Sequence, residues 1–175
     1  MLDLKPVFIS SDAFDAPFDP GVEARAVLYP VTGYHLSRDQ FDALSAAAAD
    51  VGEDRATCVL TDPELRQVIS PARPRVEFAL AEYEAYRALT FGPIPLLGEN
   101  AIMSAAGAWG VLISQEGHAL IGGPRTFLDS FSRAYPRGLA ADEAAFVAAW
   151  ERNAASIGSE TSWVGALLSH IHGGR

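Results

Sequence analysis

Hydrophobic positions change period several times along the chain, and each change marks an element. Ser37 is followed three positions later by Gln40, and then by Phe41, Leu44, Ala48 and Val51 at helical spacing. A hydroxyl and an amide so placed can satisfy each other's backbone N–H groups, which predicts a helix starting at Ser37 and closed by Gly52. Glu23 to Tyr29, before Pro30, and Ala56 to Leu60 read as strands. Asp62-Pro63-Glu64-Leu65 supplies an N-cap and a proline at the first helical position, so a short helix is expected there. Strand, helix and strand at this spacing admit a right-handed parallel crossover. Val76, Phe78 and Leu80 then alternate, and Ala81 to Leu89 is rich in helix formers. This predicts a strand followed by a helix carrying Tyr83 and Tyr86, stopped by Phe91-Gly92-Pro93-Ile94-Pro95.

The sharpest unit is a β-hairpin over about 109–122. Trp109 to Ser114 and His118 to Gly122 are apolar runs on either side of Gln115-Glu116-Gly117, a three-residue loop with glycine where a positive φ is wanted. Closing it pairs Leu112 with Leu120 and Val111 with Ile121, to within one residue for a bulge, and sets Gly110 opposite Gly122 as a flat patch on which another segment can pack closely. Trp109, Val111 and Ile113 point one way and Leu112 the other. Both faces are apolar, so the hairpin should be central and covered on both sides or by a long loop. Three amphipathic helices complete the chain, over Pro124 to Tyr135, Asp142 to Ala155 and Ser162 to His172. The expected class is α+β: a mixed or antiparallel sheet packed by helices, with the C-terminal third helical.

The first twenty residues differ from the rest. Ser10-Ser11-Asp12-Ala13-Phe14-Asp15-Ala16-Pro17-Phe18-Asp19-Pro20 is turn chemistry, so residues 1–20 are expected to form a loop-rich arm on a single globular domain spanning 1–175. The arm alternates acids with phenylalanines. Asp12, Asp15 and Asp19 could steer a partner while Phe14 and Phe18 anchor it, or the two rings could clip the arm to the core. Glu77, Glu82, Tyr83, Glu84 and Tyr86 form a second acidic, aromatic patch that could meet a partner.

Charge narrows the function classes. The 175 residues hold 13 Lys and Arg against 22 Asp and Glu, a formal net charge of −9. That balance argues against a nucleic-acid partner, whose phosphates require a basic footprint, and favours a protein with a basic surface. Met1-Leu2-Asp3-Leu4-Lys5-Pro6 has neither the basic region nor the continuous apolar region of a signal peptide, and no stretch is long enough to span a membrane. One cysteine, Cys58, lies within an apolar strand, which excludes an intramolecular disulfide and a cysteine-rich zinc site. A cytoplasmic location is expected. Lys5 is the sole lysine and alanine is abundant, usage common in bacteria with GC-rich genomes.

No catalytic residues, metal or cofactor are assigned. His170 and His172 are two apart on a helix and point about 200° from each other, which prevents them from sharing an ion. Ser114, Glu116 and His118 place a hydroxyl, an acid and an imidazole within five residues. At a hairpin mouth they should be solvated turn residues, and no Gly-x-Ser-x-Gly presents a nucleophile. Gly123, Arg125 and Thr126 lead from a strand into a helix N-terminus, where free N–H groups could hold an anion. The reading that fits best is a non-catalytic acidic binding protein, such as a bacterial immunity protein that neutralises a toxin by steric and electrostatic blocking. The alternatives are a small-molecule-binding protein or small enzyme with a pocket near Gly110, His118 and Gly122, and a structural or assembly subunit.

Overall fold

A computed structural model describes residues 7–62, 65, 75–91 and 98–173. In chain order the elements are β1 (Ala24–Leu28), α1 (Arg38–Asp50), β2 (Arg55–Leu60), β3 (Arg75–Ala79), α2 (Tyr83–Phe91), β4 (Asn100–Ser104), β5 (Gly110–Ile113), β6 (Ala119–Gly123), α3 (Arg125–Ala134), α4 (Leu139–Ile157) and α5 (Ser162–His172). The class is α+β, as the hydrophobic pattern implies. The α1 start is a reciprocal cap: Gln40 N–H donates to Ser37 Oγ at 3.3 Å, and Ser37 N–H donates to Gln40 Oε1 at 2.9 Å. Gly52 takes φ +82° just after that helix, a left-handed conformation open to glycine at no steric cost. Val51, expected on the buried face, is 37% exposed at the helix end. Leu65 N–H donates to Asp62 Oδ1 at 3.1 Å, the bond expected of an N-cap, while the helix that follows and the stop at 92–95 lie outside the described residues.

All strand pairs are antiparallel and the order is β1-β6-β5-β4-β2-β3. β1 and β2 do run in the same direction, but β6, β5 and β4 lie between them, so the crossover carrying α1 joins strands that never pair. The hairpin forms in the expected register, with Gly110 opposite Gly122, Val111 opposite Ile121 and Leu112 opposite Leu120. Ser114 N–H donates to His118 O at 2.9 Å, closing the loop whose Gly117 has φ +77°. β4 is not evident in the hydrophobic pattern, yet it links the hairpin to β2 and is buried along its whole length.

Alternation across these strands feeds two cores. On one face Ala26, Leu28, Cys58, Leu60, Ile102, Val111, Ile113 and Ile121 pack beneath α1, α2 and α3, and Trp109 stacks on Phe127 with centroids 5.1 Å apart. On the other face Val27, Ala101, Met103, Leu112 and Leu120 meet the arm, α4 and α5 through Phe8, Phe18, Phe146, Val164, Leu167 and Ile171. A sheet apolar on both faces requires cover on both, and the N-terminal arm supplies part of the second layer.

The arm is a tight loop with a bonded neck. Ile9 N–H donates to Pro17 O at 2.8 Å, Asp19 N–H to Val7 O at 2.9 Å, and Phe8 and Phe18 form an antiparallel bridge. At its tip Phe14 N–H donates to Asp12 Oδ1 at 2.8 Å, an Asx turn that replaces regular structure. The two facing glycines of the hairpin, Gly110 and Gly122, receive the two neck rings: a Cβ on Gly110 would lie 2.7 Å from Phe8 Cε2, and one on Gly122 would overlap the Phe18 ring.

Asp142 fastens α4 to the sheet. Its fully buried carboxylate accepts from Tyr29 N–H at 2.9 Å and Tyr135 Oη–H at 3.0 Å, and Arg137 Nε lies 2.9 Å from Oδ1. The ends of β1 and α3 and the first turn of α4 thereby share one acceptor.

Candidate functional site

Sheet topology brings four loops to one end. Asp12 lies at the arm tip, Asp62 follows β2, Glu99 precedes β4, and Glu116 stands in the hairpin loop. Thr61 N–H donates to Glu99 O at 2.8 Å, and Gln115 N–H donates to Glu99 Oε1 at 3.3 Å, which ties three of the loops together. Desolvation raises the Glu99 carboxyl above its ordinary value, against the Gln115 hydrogen bond, and the negative charges of Asp12, Asp62 and Glu116 push it the same way. Three acids from distant parts of the chain thus act on Glu99. Sequence spacing could not reveal it, because only the strand order makes 12, 62, 99 and 116 neighbours.

Beside these acids lies an aromatic cluster. Phe14, half-buried on the arm, meets His118 edge-on at 5.3 Å and Trp163 at 4.8 Å, and Trp163 meets Trp150 at 4.9 Å. His118 itself is buried, with Nε2 3.2 Å from Ala13 O, and burial brings its pKa down to about 4. A carbonyl can only accept, so Nε2 carries the proton and donates. The expectation of solvated turn residues at Ser114, Glu116 and His118 is corrected here. Only Glu116 is exposed; Ser114 is buried, and its Oγ accepts from Glu116 N–H at 3.0 Å.

The other expected site residues divide. Asp12 and Asp15 are exposed, Phe14 and Asp19 partly so. Phe18 is fully buried on Gly122 and Tyr86 is 2% exposed, so neither can meet a partner while the fold is intact. Tyr86 Oη accepts from Leu36 N–H at 2.8 Å and its ring stacks on Phe41. Tyr83 Oη–H donates to Leu36 O at 3.3 Å, and Glu77 pairs with Arg55 across β3 and β2. Glu82 and Glu84 are exposed, but that second patch does not form one surface with buried Tyr86.

The anion position at Gly123, Arg125 and Thr126 is occupied by the chain's own acid. Arg125 N–H donates to Glu23 Oε2 at 3.0 Å, and its guanidinium donates to Glu23 O at 3.1 Å. The place expected to hold a small-molecule pocket, near Gly110, His118 and Gly122, is filled by Phe8, Phe18 and Phe14. A groove of about 650 Å3 lies instead along β1, between α3 and α4, lined by Arg25, Ser132, Glu143, Val147 and Glu151 among others. His170 and His172 face different partners, the arm and Glu143 respectively, and among the described residues no three metal-ligating side chains converge. Among the described residues no helix is long and apolar enough to cross a membrane.

No known family, curated protein or solved structure matches the chain.

Proposed function

We propose that the protein is a non-catalytic acidic binding protein that captures a partner with a basic protein surface, in the manner of a bacterial immunity protein that blocks a toxin sterically and electrostatically. The observation that carries this reading is the convergence of Asp12, Asp62, Glu99 and Glu116 on one end of the sheet, with Glu99 held partly out of water among the other three. The charges of Asp12, Asp62 and Glu116 oppose that of Glu99, and a cationic partner would relieve the opposition on arrival. Phe14 stands next to the cluster on a loop already ordered by its own hydrogen bonds, so anchoring there costs little further entropy. Asp15 and Asp19 extend the negative field along the arm. The thiol of Cys58 suits a reducing compartment such as the bacterial cytoplasm.

The test is a comparative capture from a bacterial lysate. Wild-type protein and a variant carrying Asp12→Asn, Asp62→Asn, Glu99→Gln and Glu116→Gln serve as baits at low and high salt. The expected result is a basic protein held by the wild type at low salt, and lost both at high salt and by the variant. A specific partner retained equally by the variant overturns the assignment of this surface.

A further inference from the structure

We propose that His170 is a proton-sensitive clasp, strengthening the hold of the Phe18 end of the N-terminal arm on the sheet while its imidazole is neutral. Phe18 N–H donates to His170 Nε2 at 3.2 Å. An accepting ring nitrogen must keep its lone pair, so the neutral ring carries its hydrogen on Nδ1. A second proton would turn Nε2 into a donor facing another donor, and leave the Phe18 amide without its acceptor.

The surroundings reinforce the effect. Arg25 NH1 lies 3.5 Å from His170 Nδ1 and is held there, because it donates to His170 O at 2.8 Å while NH2 donates to Asp19 O at 3.1 Å. An imidazolium would therefore form against a fixed guanidinium. The Phe18 ring is stacked on His170, with centroids 5.9 Å apart, and Arg25 lies over the same ring at 5.6 Å. The charged groups around the clasp are Arg25 from β1, Asp15 and Asp19 from the arm, and on the α4 side Glu143, which is bonded to His172. Burial first, and Arg25 second, lower the His170 pKa from 6.5, with exposed Asp15 opposing them.

The linkage has a definite sign. Burial under the arm lowers the pKa of the closed form below that of the open form, so closure is at full strength above the open-form value and weakens as pH falls from there towards the lower value of the closed form. His118, under the other end of the arm, behaves differently. It bonds Ala13 O as a donor, an arrangement that protonation leaves intact, and it stays neutral until about pH 4. Mild acid thus weakens the hold on the Phe18 end and raises the frequency of its opening, while the buried Phe18 ring still favours the closed form and the Ala13 end remains tethered.

The clasp stands apart from the partner reading, and its test needs no partner. Residue-resolved amide exchange on the full chain, corrected for intrinsic rates, is followed from about pH 7.5 to about pH 5.5; a single linked proton can change protection by at most about tenfold per pH unit. Protection at Phe18 and Asp19 should fall several-fold, whereas Phe14 should hold. His170→Gln, whose amide oxygen can still accept from Phe18 N–H but does not titrate, should abolish the pH response. Wild-type protection that is flat with pH, or an equal response in His170→Gln, overturns the proposal. Should that variant not fold, NMR titration of the wild-type imidazole decides: a His170 midpoint at or above 6.5 overturns the clasp, and one below it supports it.

Discussion

Cys58 sits on β2 with its thiol 3.4 Å from Asn100 Oδ1, and burial pushes its pKa up to about 12. A thiol that does not ionise near neutrality is a poor nucleophile. Alkylation should accordingly be slow in the native protein and rapid in denaturant; fast labelling of folded protein would restore a reactive role. This inertness is legible in the sequence, since Ala56-Thr57-Cys58-Val59-Leu60 is plainly a buried strand. The burial of His118 is not. Its position beside a turn loop suggests solvent, and nothing local announces that Phe14, Phe146 and Trp163 close over it from the arm, α4 and α5. Phe18 shows the same limit: its ring could as well have been an exposed anchor until Gly122 is seen beneath it.

At the scale of elements, the hairpin could be read to within one residue because its register follows from one short loop with glycine at its positive-φ position. β4 could not. Asn100-Ala101-Ile102-Met103-Ser104 contains a single β-branched residue and, being buried on both faces, shows no alternation. Neighbouring strands make it a strand. The docking of the arm offers a direct check on how these elements meet. Phe18→Ala removes a fully buried ring and should destabilise by about 3–5 kcal/mol. Gly122→Ala inserts a Cβ where that ring lies and should cost about 1–3 kcal/mol. The added methyl enters space that Phe18→Ala vacates, so the double variant should be more stable than the sum by at least about 0.5 kcal/mol in denaturant unfolding. Strict additivity would mean that Phe18 does not rest on Gly122.

For the whole molecule, the excess of acid was plain from composition, whereas its arrangement was not. Net charge −9 fixes only the sign of the field around the molecule. The antiparallel strand order selects Asp12, Asp62, Glu99 and Glu116 from a larger set of surface acids and places them together, with the aromatic ring of Phe14 nearby. Charges guide encounter and apolar anchors hold the complex, so the two parts of this surface should separate kinetically. The most direct measurement is the association rate of the captured basic partner by rapid mixing, as a function of ionic strength, for the wild type and for the four-site amide variant. The account predicts that the wild-type rate falls steeply with salt, and that the variant associates slowly at low salt with little further salt dependence and a nearly unchanged dissociation rate. A wild-type rate indifferent to salt, or a variant defect confined to dissociation, would contradict it.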